Sequence, residues 1–206
     1  PAVDAFRLRP EHVGLAAQTA ADRIEVPVIE LSNAVITRLA TAELPVRDAT
    51  IDFTADPSLV LAVLVDPAAG RAVRALVRGL GRIDGLASTY TCAFQPLVLG
   101  RNPEAMARAA ARLARSGAGL SLFDADGERF WLPLPVAGLL SDLQPGEVAA
   151  RCDELGRLLA DRGYALGAWP YTLLFLTANH LPGPRLTPAG LHEVRSRRRL
   201  YGPTAL

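Results

Sequence analysis

Lysine is absent from the 206 residues, and all 22 basic side chains are arginines. That excludes a Schiff-base amine and the phosphate-gripping lysine of a P-loop. Cysteine is scarce: Cys92 and Cys152 stand far apart with no Cys-x-x-Cys pair. One disulfide is possible, but two free thiols in a reducing compartment fit better. Histidine is limited to His12, His180 and His192, with no i, i+4 or His-x-His spacing. Catalytic zinc and iron sites commonly show such spacing, so no metal is expected. Charge of one sign is missing too: 22 basic and 21 acidic side chains leave a formal +1. Such a balance gives no electrostatic footprint for nucleic acid or an anionic membrane. The longest apolar runs, 59–65 and 173–176 with neighbours, fall far short of the ~20 residues that span a bilayer. Asp4, Arg7 and Arg9 interrupt the start before a signal-peptide core can develop, so a soluble cytoplasmic protein without cofactor is expected.

What the chain has is apolar mass. Half the residues are hydrophobic and 21% are charged, which excludes disorder. A chain of this length buries roughly 70% of its unfolded surface without staples. The organisation reads as an N-terminal segment over 1–22, an α+β domain over 23–195 and a solvated basic tail over 196–206.

Strand signals begin at Arg23, where Ile24, Val26, Val28 and Ile29 carry β-branched character and Pro27 suggests an edge. Residues 35–37 and 50–53 repeat the signal. The run 59–65 reads as a strand buried on both faces, and 72–77 returns beside it through a short turn. Two helices follow. The first has Asn102 as N-cap, Pro103 at the first helical position, an apolar stripe at Met106, Ala109, Ala110 and Leu113, and Gly117 as its end. The second covers about 145–162, with Val148, Cys152, Leu155 and Leu159 on one face. Strand-like segments follow each helix, at 119–123 and 171–176. Mixed strands with two long helices predict a mixed β-sheet covered by both.

Few residues carry obvious chemistry. Gly117 and Gly119 follow a helix, whereas a dinucleotide fingerprint opens one. Gly79, Gly81 and Gly85 allow close backbone approach to a ligand or form a plain connection. Ser88 and Ser141 lack a nucleophile elbow, and Cys92 reads as a packed thiol. Glu30 and Asp142 sit in apolar segments, where desolvation raises a carboxyl pKa and suits it to acid/base work. For Asp142, a place at the start of the second helix competes.

The segment 134–142, Leu-Pro-Val-Ala-Gly-Leu-Leu-Ser-Asp, resembles the Leu-Pro-Ile-Ala-Gly-Leu-Met-Ser-Asp signature of the adenine deaminase C-terminal domain. Residues 170–187, with Phe175, Leu176, Pro182, Leu186 and Thr187, are similar to that domain's Phe-Leu-Ala-Leu-Pro…Leu-Thr segment. Ile29 to Leu31, Ile36, Thr37, Gly79, 85–88 and 98–102 fall in the family order, so the resemblance covers about 24–195. It implies that domain's α+β fold. Two departures bear on activity. The family's metals lie in an amidohydrolase barrel ahead of this domain, and 206 residues cannot hold a second unit of about 250 residues. The family's His-Asp-Ser-His-Asn stretch is replaced here by Thr91, Cys92, Ala93, Phe94 and Gln95. Asn179 and His180 stand where the family has apolar residues and proline.

From this inventory two readings follow. The first is a metal-free acid/base enzyme acting on a small organic substrate, with amine–aldehyde ring closure of the Pictet–Spengler type in natural-product biosynthesis as the reaction. Glu30, Asp142 and His180 would move protons. Arg74 and Arg78 would bind a carboxylate or phosphate, and Tyr90, Cys92, Phe94, Gln95, Trp169 and Asn179 would line the site. The second is a non-catalytic nucleobase-binding or accessory module of a split adenine deaminase, docking on a separately encoded amidohydrolase. A lobe without its barrel exposes apolar surface, so a homodimer is expected.

Overall fold

The computed structural model describes residues 8–17 and 19–206; Asp4 and Arg7, part of the leader argument, lie outside the described residues. The sheet is built outward from β4 (Leu59–Asp66), whose residues 59–65 are all buried. It lies between β5 (Arg71–Arg78) and β7 (Leu97–Gly100), both antiparallel to it. A central strand has apolar layers on both faces, which is why its side chains are hydrophobic without alternation. Asp66 accepts from the Ala69 amide at 3.1 Å, and Gly70 turns at φ +60°, closing the β4–β5 hairpin.

From β5 the sheet continues through β1 (Arg23–Leu31), β2 (Thr37–Arg47) and β3 (Thr50–Ile51). From β7 it continues through β6 (Gly85–Ser88), β8 (Gly119–Asp124) and β9 (Gly127–Pro133). β1 runs parallel to β5 over Val28–Glu30, while the other pairings are antiparallel, so the sheet is mixed. Pro27 precedes the parallel pairing and has its strand partner on the β2 side only, where its missing N–H costs nothing.

The two helices form as their caps predict. In α1 (Pro103–Ser116) the Asn102 side chain accepts from the Ala105 amide, and Gly117 ends the helix at φ +88°. Its buried stripe, Ala105, Met106, Ala109, Ala110 and Leu113, packs on one sheet face with Val26, Val28, Leu61 and Val63. α2 (Pro145–Asp161) is capped by Gln144 and Glu147 together. It covers the opposite face through Leu155 and Leu159, against Val60, Ala62, Leu64 and Val73.

Several elements differ from the sequence expectation. Residues 171–175 belong to a helix, α3 (Trp169–Phe175), with Pro170 in its first turn and Leu176 as its C-cap. A six-residue apolar run carries no period, and Pro170 starts a helix well because its ring fixes φ. The proline-rich stretch folds into β10 (Pro184–Thr187), paired with β11 (Gly190–Glu193) and then β12 (Arg198–Tyr201). Beyond it, β13 (Thr204–Ala205) adds to β5 at Ala72 and Arg71, on the edge left free where β1 diverges. Residues 198–201 and 204–205 are thus paired strands, although Arg198 and Arg199 are exposed. The loop over 79–84 is a crossover, since β5 and β6 are separated by β4 and β7. Gly81 within it and Gly85 at the start of β6 serve packing: a Cβ on Gly81 would overlap the Arg162 carbonyl, and one on Gly85 the Ala105 backbone. Among the described residues no helix is long and apolar enough to cross a membrane.

Candidate functional site

The family-like signature and the remodelled loop meet where β6 leaves the sheet. Thr89 Oγ1 donates to the Gly138 carbonyl at 2.8 Å and accepts from the Gly119 amide at 3.0 Å. Gly138 turns at φ +75° and Ala137 at φ +55°, and the Val136 and Leu140 amide and carbonyl groups close the turn between them. The left-handed pair leaves Val136 and Leu140 outward, 50% and 63% exposed.

The loop then folds over α3. Thr91 Oγ1 donates to the Gln95 carbonyl at 2.9 Å, and the Phe94 amide donates to Thr91 O at 3.2 Å. This tight turn holds Phe94 at φ +53°, with the residue 62% exposed. A non-glycine residue there costs roughly 1–2 kcal/mol, which the surrounding bonds must offset. The Cys92 amide donates to Leu174 O at 3.2 Å, and the Ala93 amide to Thr177 Oγ1 at 3.1 Å. α3 is anchored in turn by Trp169 Nε1, donating to Cys152 O at 3.2 Å, and by the Tyr164–Thr172 hydroxyl pair at 2.7 Å. On its outer side Tyr171, 53% exposed, stacks on Phe175 with ring centroids 5.8 Å apart.

The electrostatics of this cluster are those of neutral groups. Burial pushes the Tyr90 phenol up, and the neighbouring Cys92, Tyr171 and Cys152 push it further. Burial likewise raises the Cys92 thiol, opposed by Arg185. Raised acids stay protonated at neutral pH, so Tyr90 and Cys92 can donate hydrogen bonds but are poor proton acceptors.

The expected site residues divide. Tyr90, Cys92, Phe94 and Gln95 share the loop, and Trp169 holds the helix beneath it, so these come together. Asn179 and His180 follow α3 and are exposed. Asp142 is exposed as well, and Gln144 rather than Asp142 caps α2; its apolar sequence neighbours do not bury it. Glu30 follows Val28 and Arg74 and Arg78 follow Ala72 and Leu76 in strand alternation. All three therefore point to the α1 face, whereas Tyr90 and Ala93 pack against the α2 face. Arg78 is engaged by Asp56 at 3.1 Å and Ser58 at 3.0 Å. Arg74 donates to His12 O at 2.8 Å and to Thr204 Oγ1, tying the N-terminal segment to β13. Glu30 and the two arginines thus share no site with the aromatic loop.

Sequence reasoning missed Arg185, whose side chain is 1% exposed; only a charged residue inside a proline-rich strand signalled it. Among the described residues no three His, Cys, Asp or Glu side chains cluster to hold a metal, so these residues do not fit a metal centre.

Residues 34–198 match the family model described as adenine deaminase C-terminal domain. An adenine deaminase of Ruegeria pomeroyi is 34% identical over 195 residues, covering 90% of this chain and 32% of that protein. One of Roseobacter denitrificans is 32% identical, covering 92% and 32%. A putative adenine deaminase of Bacillus cereus is 30% identical, covering 86% and 30%. The chain spans about a third of the length of these curated relatives. This finding overturns the expected amine–aldehyde condensing enzyme. Nearly the whole chain is accounted for as the C-terminal part of adenine deaminases, and none of these relatives is named for ring closure.

Proposed function

We propose, from the premise that the chain belongs to the adenine deaminase C-terminal domain family, that it is the non-catalytic accessory lobe of an adenine-deaminase-type assembly. The chemistry would come from an amidohydrolase partner. Coverage carries this reading: relatives named adenine deaminase align along 86–92% of this chain but only 30–32% of themselves. The neutral character of the loop cluster supports it, since Tyr90 and Cys92 lack a carboxylate within the loop to work with.

The docking face is the rim formed by Phe94, Val136, Leu140 and Tyr171. Single exposed apolar residues are ordinary, but these four sit on three segments joined through Thr89–Gly138, Cys92–Leu174 and Ala93–Thr177. A rim of this kind marks a contact surface. Its occupant would be the amidohydrolase barrel that the family resemblance implies ahead of this domain. Without it, the same face would pair two copies of the chain, which is the form the expected homodimer takes. Cytoplasmic location belongs to the same reading.

Binding is tested with the Ruegeria pomeroyi enzyme lacking its matching C-terminal third, metal-loaded and checked for solubility. Light scattering should show a one-to-one complex with this chain. Phe94→Glu and Leu140→Glu should each weaken it about tenfold or more, with unchanged far-ultraviolet circular dichroism. No complex with the wild-type chain, or equal binding by both variants, contradicts the assignment.

A further inference from the structure

We propose that the groove between the start of β2 and the β10–β11 hairpin binds a phosphate monoester carrying an apolar body. The groove is about 510 Å³ and is lined by Ile36, Arg38, Leu39, Leu181, Arg185 and Arg195 among others. That volume lies within the roughly 300–1,000 Å³ of small-molecule sites. None of the four docking residues lines it.

Charge selects the ligand. Arg38, Arg185 and Arg195 bring three positive charges to the groove, and Glu193 brings one negative charge. The Glu193 carboxylate is already occupied, accepting from the Ser196 amide at 2.6 Å. Among the described residues none of the three arginines is in an ion pair. Two net positive charges match a phosphate monoester, which carries about −1.5 to −2 at neutral pH, better than a carboxylate. Guanidinium forks also suit phosphate oxygens geometrically.

Arg185 is the second, independent observation. Its fork donates at 2.9 Å to the carbonyls of Phe175, Val35 and Pro182, but its Nε is buried without an acceptor. Burial pulls its pKa down, and no carboxylate offsets that burial among the described residues. A buried guanidinium facing carbonyl dipoles and the Cys92 thiol, with no carboxylate, is incompletely compensated, and an anion in the groove would supply the missing charge. The wall is also preformed. Thr37 Oγ1 donates to Pro184 O at 3.1 Å, and Gly183, at φ +88°, packs so closely on Thr37 that a Cβ would overlap its carbonyl. Ile36, 54% exposed, and Leu39 offer the apolar body a surface.

Calorimetric titration of the chain alone with phenyl phosphate tests this, and does so independently of whether the lobe docks on a partner. Saturable one-to-one binding with Kd below about 1 mM is expected. The doubly substituted Arg38→Gln, Arg195→Gln protein should bind about tenfold or more weakly. Both residues are exposed, so its urea midpoint should match wild type. Arg157→Gln, on an exposed position of α2, should bind as wild type, and inorganic phosphate should bind more weakly than phenyl phosphate. No saturable heat up to about 10 mM, or equal affinity in the double variant, overturns the proposal.

Discussion

Thr89 and Gly138 lock the remodelled loop to the family signature: the Thr89 hydroxyl donates to the Gly138 carbonyl at 2.8 Å, and a Cβ on Gly138 would come within 3.1 Å of Thr89 Cβ. The bond is buried, and the same hydroxyl also satisfies the Gly119 amide. One side chain therefore holds the end of β6, the start of β8 and the turn that presents Val136 and Leu140.

Thr89→Val keeps the shape and removes both bonds. It should lower stability by about 1–3 kcal/mol, the cost of leaving buried polar groups unpaired. Gly138→Ala adds left-handed strain of roughly 1–2 kcal/mol to a tight contact. Urea unfolding checks both, and a loss under about 0.5 kcal/mol in either would show that the lock contributes little.

Gly85→Ala and Gly146→Ala should behave oppositely. A Cβ on Gly85 meets the backbone of α1, while one on Gly146 meets nothing. The first should yield destabilised or insoluble protein. The second, in the first turn of α2, should be neutral or stabilising by up to about 1 kcal/mol. Thermal unfolding separates them; equal midpoints would contradict the packing described for the crossover.

Acid stability should depend on Asp124. Burial pushes its pKa up, but hydrogen bonds from Arg162 and Arg129 outweigh this and leave it lowered. With the folded value below the unfolded one, near ~3.9, its contribution is present above the unfolded value and is lost as pH falls through the folded one. Asp124→Asn should cost about 1 kcal/mol at pH 7, after discounting for partial exposure, and decline less steeply in acid. Parallel urea midpoints from pH 6 to about 2.5 in the two proteins would contradict this.

Both thiols are free and both are raised by burial. Ellman's reagent at pH 7.5 should titrate two thiols per chain, each reacting at least about fivefold slower than an unhindered cysteine. Fewer than two after denaturation without reductant would reveal a disulfide.

How much of this was legible depended on sequence range. α1 was readable because Asn102, Pro103 and Gly117 act on their own neighbours, and β4 because its apolar run is bounded by turns. α3 was misread because 171–176 is too short to show a period, and only Pro170 favoured a helix. At the site, strand alternation pairs Glu30 with Val28 and Arg74 with Ala72. Which sheet face the aromatic loop crosses is set by long-range connections that no local pattern encodes. Glu30 and Tyr90 therefore looked like partners although the sheet lies between them. The short β10–β12 sheet, which buries Arg185, was hidden by its prolines.

The most direct measurement is ammonia release from adenine by the metal-loaded Ruegeria pomeroyi enzyme stripped of its matching third, titrated with this chain. The account predicts a saturable rise in rate that Phe94→Glu and Leu140→Glu suppress, with no release by this chain alone. A rate indifferent to added chain, or deamination by the chain by itself, would contradict it.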